Sequence, residues 1–189
     1  MMNKVSLLLM VCLGSLLACQ PSTEKAPTAK AQTSEPTGTI EAKLTEMGIT
    51  LPEASAPVAN YVNAVTTGKL VFLAGKGPKQ ADGTYITGKV GRDLTVEEGY
   101  EAAKLVAINQ LAALKAEIGE LDRVNRIVKV LGMVNATEDF ADQPEVINGF
   151  SDFMVEVFGE KGKHARAAVG MGSLPRNIAV EIEMIVELK

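Results

Sequence analysis

The C-terminal segment places the tightest constraint on the fold, because every second residue from Ile178 to Leu188 is large and apolar. These residues are Ile178, Val180, Ile182, Met184, Val186 and Leu188. Successive side chains of a strand point to opposite faces, so a period of two places all of them on one face. The pattern therefore predicts a strand in a sheet that is covered on one side.

Other segments predict the helices and strands that complete this sheet. Thr95 and Glu98 form a capping box ahead of a helix that runs to about Ile118, and Gly159 ends a second helix that begins at Asp142. Predicted strands are Tyr61 to Thr66, Lys69 to Ala74, Val124 to Met133, Ala165 to Met171 and Ile178 to Leu188, with a short strand at Thr84 to Thr87 and a short first helix at Ile40 to Met47. This order predicts an α+β fold, a single mixed sheet with two helices on one face.

The N-terminal part of the chain differs in composition from the rest. Residues 1–18 have a basic start and an apolar run shorter than the ~20 residues of a spanning helix, which predicts a secretory signal. The signal ends in Leu-Leu-Ala-Cys19, which resembles the lipobox of bacterial lipoproteins and implies lipidation of Cys19. Residues 19–39 are predicted to form the lipidated cysteine and a disordered tether, because they offer almost no apolar surface to bury. Residues 40–189 are predicted to form one globular domain.

The lipobox resemblance implies a location in the cell envelope of a Gram-negative-type bacterium. Gln20 follows the cysteine, and in enteric bacteria this residue implies sorting to the outer membrane. The lipoprotein is therefore expected at the periplasmic face of that membrane, held only by its lipid anchor. The alternative is an ordinary signal peptide with an incidental cysteine.

The composition also limits the chemistry that the mature protein can perform. The lipobox resemblance implies that Cys12 leaves with the signal and that Cys19 becomes a thioether, so no cysteine nucleophile is expected. His164 is the single histidine, so we expect no metal site of several histidines. The formal net charge of −4 gives no electrostatic support for nucleic-acid binding.

Three stretches carry a family resemblance: "LPEASAPVANYVNAV…VFLAGKGP", "DFADQPEVINGFSDFM" and "HARAAVGMGSLPRNIAVEIEMIVE". They resemble the Rid family, also called YjgF or endoribonuclease L-PSP, in a divergent branch with the HARxAVG ending. The resemblance implies a chorismate-mutase-like fold and a homotrimer with a ligand cleft at each subunit interface. It also implies hydrolysis of imines or enamines to 2-keto acids and ammonia, with no metal or organic cofactor. Helices on one face of the sheet leave the other needing cover, which three copies would supply.

The resemblance assigns roles to five residues. Arg166 holds the carboxylate of a small substrate, a task suited to a planar two-pronged donor. Glu181 is the catalytic residue that positions or activates the attacking water. Tyr61, Asn148 and Gly75 are the further substrate-binding positions.

The residues alone leave two interpretations of Arg166 and Glu181. If the last two predicted strands form a hairpin, Arg166 faces Glu183, and Glu181 lies one diagonal step away on the same face. That arrangement is either an exposed salt bridge of little energetic value or one site. Neighbouring His164 is expected either to border the cleft or to lie solvated in a loop.

Some positions depart from the family pattern and leave the function open. Ala74-Gly75-Lys76 stands where the family strand often reads SGQ, and Ala168 replaces a common Cys or Ser. The favoured interpretation is an imine or enamine deaminase. The alternative is a non-catalytic trimer that binds a small carboxylate ligand, and a ribonuclease is disfavoured by the acidic composition.

Overall fold

The computed structural model describes residues 39–57 and 59–189. The predicted signal peptide, Cys19 and the tether up to residue 38 lie outside the described residues. The elements, in chain order, are α1 Thr39–Glu46, β1 Ala64–Thr67, β2 Leu70–Lys76, α2 Val96–Ile118, β3 Val124–Asn135, α3 Gln143–Phe158, β4 Ala165–Met171 and β5 Val180–Leu188. In this part of the chain, no helix has both the length and the apolar character required to cross a membrane.

The strands form one five-stranded sheet in the order β1-β2-β5-β3-β4. β3 and β4 run parallel, whereas β1 with β2, β2 with β5, and β5 with β3 are antiparallel. α2 and α3 pack against each other and over the same face of the sheet. The predicted α+β fold, with one mixed sheet and two helices on one face, is confirmed.

The alternating pattern of β5 is confirmed by its burial. Val180, Ile182 and Val186 have no exposed surface, and Met184 is 1% exposed. Glu183, on the opposite face, is exposed. The apolar face therefore packs under the helices, and the face that carries the glutamates is left without a covering layer in one copy of the chain.

The predicted hairpin between the last two strands is wrong. β3 lies between β4 and β5, so Arg166 pairs with Val130 of β3, and Glu181 pairs with Met133 of β3. Val130 is buried beneath the helices, whereas Met133 belongs to the open face. Cross-strand partners share a face, so Arg166 and Glu181 lie on opposite faces of the sheet. They form neither a salt bridge nor a shared site within one chain.

Two local predictions have different outcomes. The capping box of α2 is confirmed: the Glu98 backbone N–H donates to Thr95 Oγ1 at 3.2 Å, and the Thr95 N–H donates to Glu98 Oε2 at 2.8 Å. The short strand predicted at Thr84 to Thr87 is wrong, because this segment makes only isolated bridges at Tyr85 and Thr87. Its turn-rich sequence leaves too few consecutive residues for a ladder.

Gly149 of α3 allows the two long helices to approach each other closely. A Cβ atom built at this position would overlap the carbonyl oxygen of Tyr100 in α2, a backbone atom that no rotamer change can move. We expect Gly149→Ala to lower the free energy of unfolding by about 1–3 kcal/mol, the usual cost of overpacking. Urea denaturation measures this change. Gly172→Ala is the control, because its Cβ meets no atom within 4 Å, and an equal loss there would contradict the packing argument.

Candidate active site

Glu181 lies in the wall of a cavity of about 450 Å³, which we call the Glu181 pocket. The pocket lies where the end of β2 meets α2, the segment 52–56 and the turn before β5. Its polar and charged lining includes Tyr61, Lys76, Lys79, Asn109, Arg176 and Glu181. A cavity of this size suits a small organic molecule.

The carboxylate of Glu181 lies directly against the backbone of Gly75. A Cβ atom at Gly75 would overlap Glu181 Oε1, so only glycine leaves room for the carboxylate at this position. Glu181 is half-buried, and burial, followed by the nearby charge of Glu183, raises the pKa of its carboxyl group. A carboxyl group with a raised pKa exchanges protons more readily near neutral pH, which suits a general acid or base.

A buried amide from α2 fixes the backbone around this carboxylate. Gln110 has no exposed surface, and its Nε2 donates to the carbonyl of Ile182 at 2.6 Å and to that of Ala74 at 3.1 Å. These carbonyls adjoin Glu181 and Gly75, where a bulge interrupts the pairing of β2 with β5 between Leu73 and Lys76. Gln110 therefore holds the irregular backbone that places Gly75 against Glu181.

Arg166 belongs to a second polar group, which we call the Arg166 cluster and which comprises Asn148, Ser151, His164 and Arg166. Arg166 Nη1 donates to Asn148 Oδ1 at 2.9 Å and to Ser151 Oγ at 3.0 Å, both on α3. Both bonds are donated by the same nitrogen, Nη1, and together they fix the orientation of the guanidinium group. The other guanidinium nitrogens make no hydrogen bond to a described residue, so they are available to a carboxylate ligand.

His164 completes the cluster, and both of its ring nitrogens make hydrogen bonds. Nδ1 lies 2.6 Å from the carbonyl oxygen of Gly162, which only accepts, so Nδ1 carries the proton. Nε2 then accepts from Ser151 Oγ, at 3.1 Å. Burial lowers the pKa of His164, the bond to Gly162 opposes this effect, and the positive charge of Arg166 lowers it further. The neutral ring is thus favoured, and His164 is a fixed member of the cluster rather than a solvated loop residue.

The lowered pKa of His164 gives a pH dependence with a defined sign. Its pKa in the folded state lies below the ordinary value of about 6.5, so folding favours the neutral ring. This contribution to the free energy of unfolding is complete above about pH 6.5 and is lost as the pH falls towards the folded pKa. We expect the stability difference between wild type and His164→Gln, from urea denaturation, to shrink between pH 7.5 and pH 5. A constant difference would contradict this assignment.

The predicted site residues therefore fall into two groups. Gly75, Glu181 and Tyr61 meet at the Glu181 pocket, where Tyr61 is 48% exposed at the rim. Asn148 and Arg166 meet in the Arg166 cluster. The structure thus brings each group together but does not bring the two groups together within one chain.

Three residues near these groups were not identified from the sequence as site residues. Ser151 and Gln110 are ordinary helical positions by pattern, and only their helix faces place them beside Arg166 and Glu181. Lys76 was noted only as a departure from the family strand, although it lines the Glu181 pocket. A buried glutamine at a core position of α2 was the one available signal, because a buried amide requires partners.

Comparison with known proteins identifies the class. Residues 41–188 match the family model described as "YjgF/chorismate_mutase-like, putative endoribonuclease". The chain is 44% identical over 152 residues to Protein TCP17 of Trypanosoma cruzi, covering 80% of this chain and 95% of that protein. The crystal structure of Atu1372 from Agrobacterium tumefaciens, described as of unknown function, is 45% identical with a TM-score of 0.74, covering 79% of this chain and 93% of the other.

A third relative has a named activity. The 2-iminobutanoate/2-iminopropanoate deaminase of Dermatophagoides farinae is 28% identical over 142 residues, which is 75% of this chain and 95% of that enzyme. These matches, together with the mixed sheet and its two helices, show that the chain belongs to the YjgF or Rid family and has its chorismate-mutase-like fold.

Proposed function

We propose that this protein is a deaminase that hydrolyses 2-imino or enamino acids to 2-keto acids and ammonia. Glu181 accepts a proton from water as the water oxygen bonds to the imine carbon. The protonated carboxyl group returns this proton to the nitrogen, which gives a carbinolamine. Glu181 then carries the hydroxyl proton to the nitrogen in a second transfer, the carbon–nitrogen bond breaks, the keto group forms and ammonia leaves. Arg166 binds the substrate carboxylate in a two-pronged contact.

The observation that carries this proposal is the environment of Glu181. Its carboxylate faces a cavity, and no described residue is ion-paired with it. Burial raises its pKa, which is the condition in which a carboxyl group serves both as base and as acid near neutral pH. The name of the Dermatophagoides farinae relative supports imine hydrolysis as the reaction.

A homotrimer completes the proposed site. Because Arg166 and Glu181 lie on opposite faces of one sheet, a second copy must supply the missing half. The open face is suited to such contact, since Phe72 is 42% exposed, Val65 54% and Val169 39%. Leu131 and Ile185 continue this apolar surface along a groove of about 320 Å³. Burial of such a surface stabilises association.

Assays on purified protein test the proposal. Enamines released in situ from serine by a pyridoxal-phosphate enzyme should disappear faster with the protein than in buffer, with stoichiometric release of keto acid and ammonia. Light scattering at micromolar concentration should give the mass of three chains. A monomer that still catalyses the reaction would contradict the intersubunit site, and a trimer without turnover would contradict the deaminase.

The second candidate is a trimer that binds a small carboxylate ligand without turning it over. The observation that favours it is the loss of polar groups: Ala74 lines the Glu181 pocket, and Ala168 packs against the apolar core. In that case the protein binds 2-keto acids but leaves the rate of enamine decay at the buffer value. The same assay therefore separates the two candidates.

Membrane attachment through Cys19 is also part of the proposal. Its support is the Leu-Leu-Ala-Cys19 sequence after a short apolar run. Cys19→Ser should abolish incorporation of labelled palmitate and release the protein from the membrane fraction or leave it as a precursor. Unchanged labelling and membrane association in that variant would rule out the lipoprotein assignment.

A further inference from the structure

The Glu181 pocket carries more positive charge than the proposed reaction requires. Lys76, Lys79 and Arg176 line it, against the carboxylates of Glu53 and Glu181. The chain as a whole has the opposite balance, with a formal net charge of −4. The local excess of cations is therefore a property of this cavity and not of the composition.

The two lysines are held in place by neutral partners. Lys76 Nζ donates to Asn63 Oδ1, and Lys79 Nζ donates to Ser55 Oγ at 2.9 Å. Asn63 is itself fixed by a bond of 2.8 Å from its Nδ2 to the Ser55 carbonyl. The network orients both ammonium groups at the pocket wall without neutralising either charge.

Neither lysine is ion-paired with a carboxylate of the part of the chain that the structure describes. The ion pairs found there are Arg92 with Asp93, Lys115 with Glu41 and Lys163 with Glu160. Lys76 is half-buried, and this burial lowers the pKa of its amine. A desolvated cation without a counter-charge is unfavourable, and a bound anion would remove that cost.

The turn before β5 brings Arg176 to the pocket in a strained backbone conformation. Its φ angle of 53° lies in the left-handed region, which arginine seldom adopts, and Asn177 follows in the same region with a φ of 59°. Asn135 maintains this turn, because its Nδ2 donates to Asn177 Oδ1 at 3.0 Å and to the Ile178 carbonyl at 3.1 Å. Strained backbone of this kind tends to occur at functional sites, and here it presents a third cation to the cavity.

We propose that the Glu181 pocket binds a second anionic group of the substrate through Lys76 and Lys79, so that the preferred substrates are imines of dicarboxylic 2-amino acids. The inference rests on the proposed function, in which Arg166 of another copy holds the first carboxylate. Lys76 then acts as a specificity-determining residue. It stands where the family strand often has glutamine, which is neutral.

Binding of matched keto acids tests this inference without requiring turnover. 2-Oxoglutarate and 2-oxopentanoate share a five-carbon chain and differ only in the terminal carboxylate. Calorimetry at a salt concentration of about 0.15 M should show at least about tenfold tighter binding of 2-oxoglutarate, the effect of a hydrogen bond to a charged group. Lys76→Gln should bring the two affinities closer together, because glutamine is polar but carries no charge.

Lys69→Met is the control variant, because Lys69 is an exposed residue in the turn before β2 and does not line the Glu181 pocket. This variant should keep the wild-type preference. Gel filtration and urea denaturation of Lys76→Gln establish that it folds, and Lys79→Met provides a second variant with the same expected loss. The inference would be overturned, with the proposed function left intact, if wild type bound both acids equally. It would also be overturned if Lys76→Gln and Lys79→Met both kept the wild-type preference for 2-oxoglutarate. Failure of wild type to bind either acid would overturn the proposed function as well.

Discussion

Glu181→Gln is expected to lower the rate of imine hydrolysis by about 10²–10⁴-fold, the usual contribution of a general acid or base. Glutamine keeps the size of the side chain and its contact with Gly75, but it cannot take a proton from water. Arg166, which another copy of the chain supplies to bind the substrate carboxylate in the proposed site, keeps its side chain in this variant. The affinity for 2-oxobutanoate should therefore stay close to that of wild type, and kcat alone should fall.

Glu101→Gln is the matched control for this prediction. It removes the same kind of charge from an exposed position of α2 that lines neither the Glu181 pocket nor the groove on the open face. It should retain the wild-type activity. Full activity of Glu181→Gln in an enzyme that hydrolyses imines would defeat the proposed mechanism and assign the proton transfers to another group.

Arg166→Lys is expected to weaken binding of 2-oxobutanoate by roughly ten- to hundredfold. Lysine keeps the positive charge but cannot bond to Asn148 and Ser151 while presenting two parallel donors to a carboxylate. Loss of one hydrogen bond between charged groups is enough for a change of this size. Calorimetry measures it directly, and the catalytic rate at saturating substrate should change much less than KM.

Arg126→Lys serves as the comparison, because Arg126 is an exposed residue of β3. The Arg126→Lys variant should bind 2-oxobutanoate with the same affinity as wild type. If Arg166→Lys also binds with wild-type affinity, the Arg166 cluster is a structural network that ties β4 to α3, and the carboxylate must be held elsewhere.

Most of the fold follows from local patterns in the sequence. The period of β5, the capping signal at Thr95 and the glycine after α3 mark the ends and faces of their elements within a few residues. Each of these signals depends only on neighbouring residues and on burial of one face. The order of the strands in the sheet does not depend on these local signals, and the predicted hairpin between the last two strands was wrong for this reason.

The hairpin error has a physical cause. Adjacent strands in the sequence often pair, but β5 has a completely apolar buried face, whereas β4 has the small residues Ala165, Ala167 and Ala168 around Arg166. The sheet buries more apolar surface when β5 is central and β4 is at the edge. The segment between them, which contains the turn Pro175–Asn177, is long enough to carry the chain past β3.

The candidate site was predictable only where a motif resembles the family. Arg166 and Glu181 were identified in this way, but their separation onto two faces depends on the strand order. Ser151 and Lys76 carry no local signal, and the only signal at Gln110 is an amide at a core position of α2. The importance of all three comes from contacts between elements that are distant in sequence. Such contacts are a property of the tertiary fold alone.

The central position of β5 also determines when the domain can fold. β5 follows the other four strands in the sequence, yet it joins β2 to β3 and so connects the two halves of the sheet. During synthesis, the earlier strands emerge first and form only the separate pairs β1-β2 and β3-β4, whose apolar surfaces stay unprotected. The complete sheet can therefore form only after β5 has been synthesised. Loss of the nine residues of β5, Val180–Leu188, would split the whole sheet rather than shorten one edge.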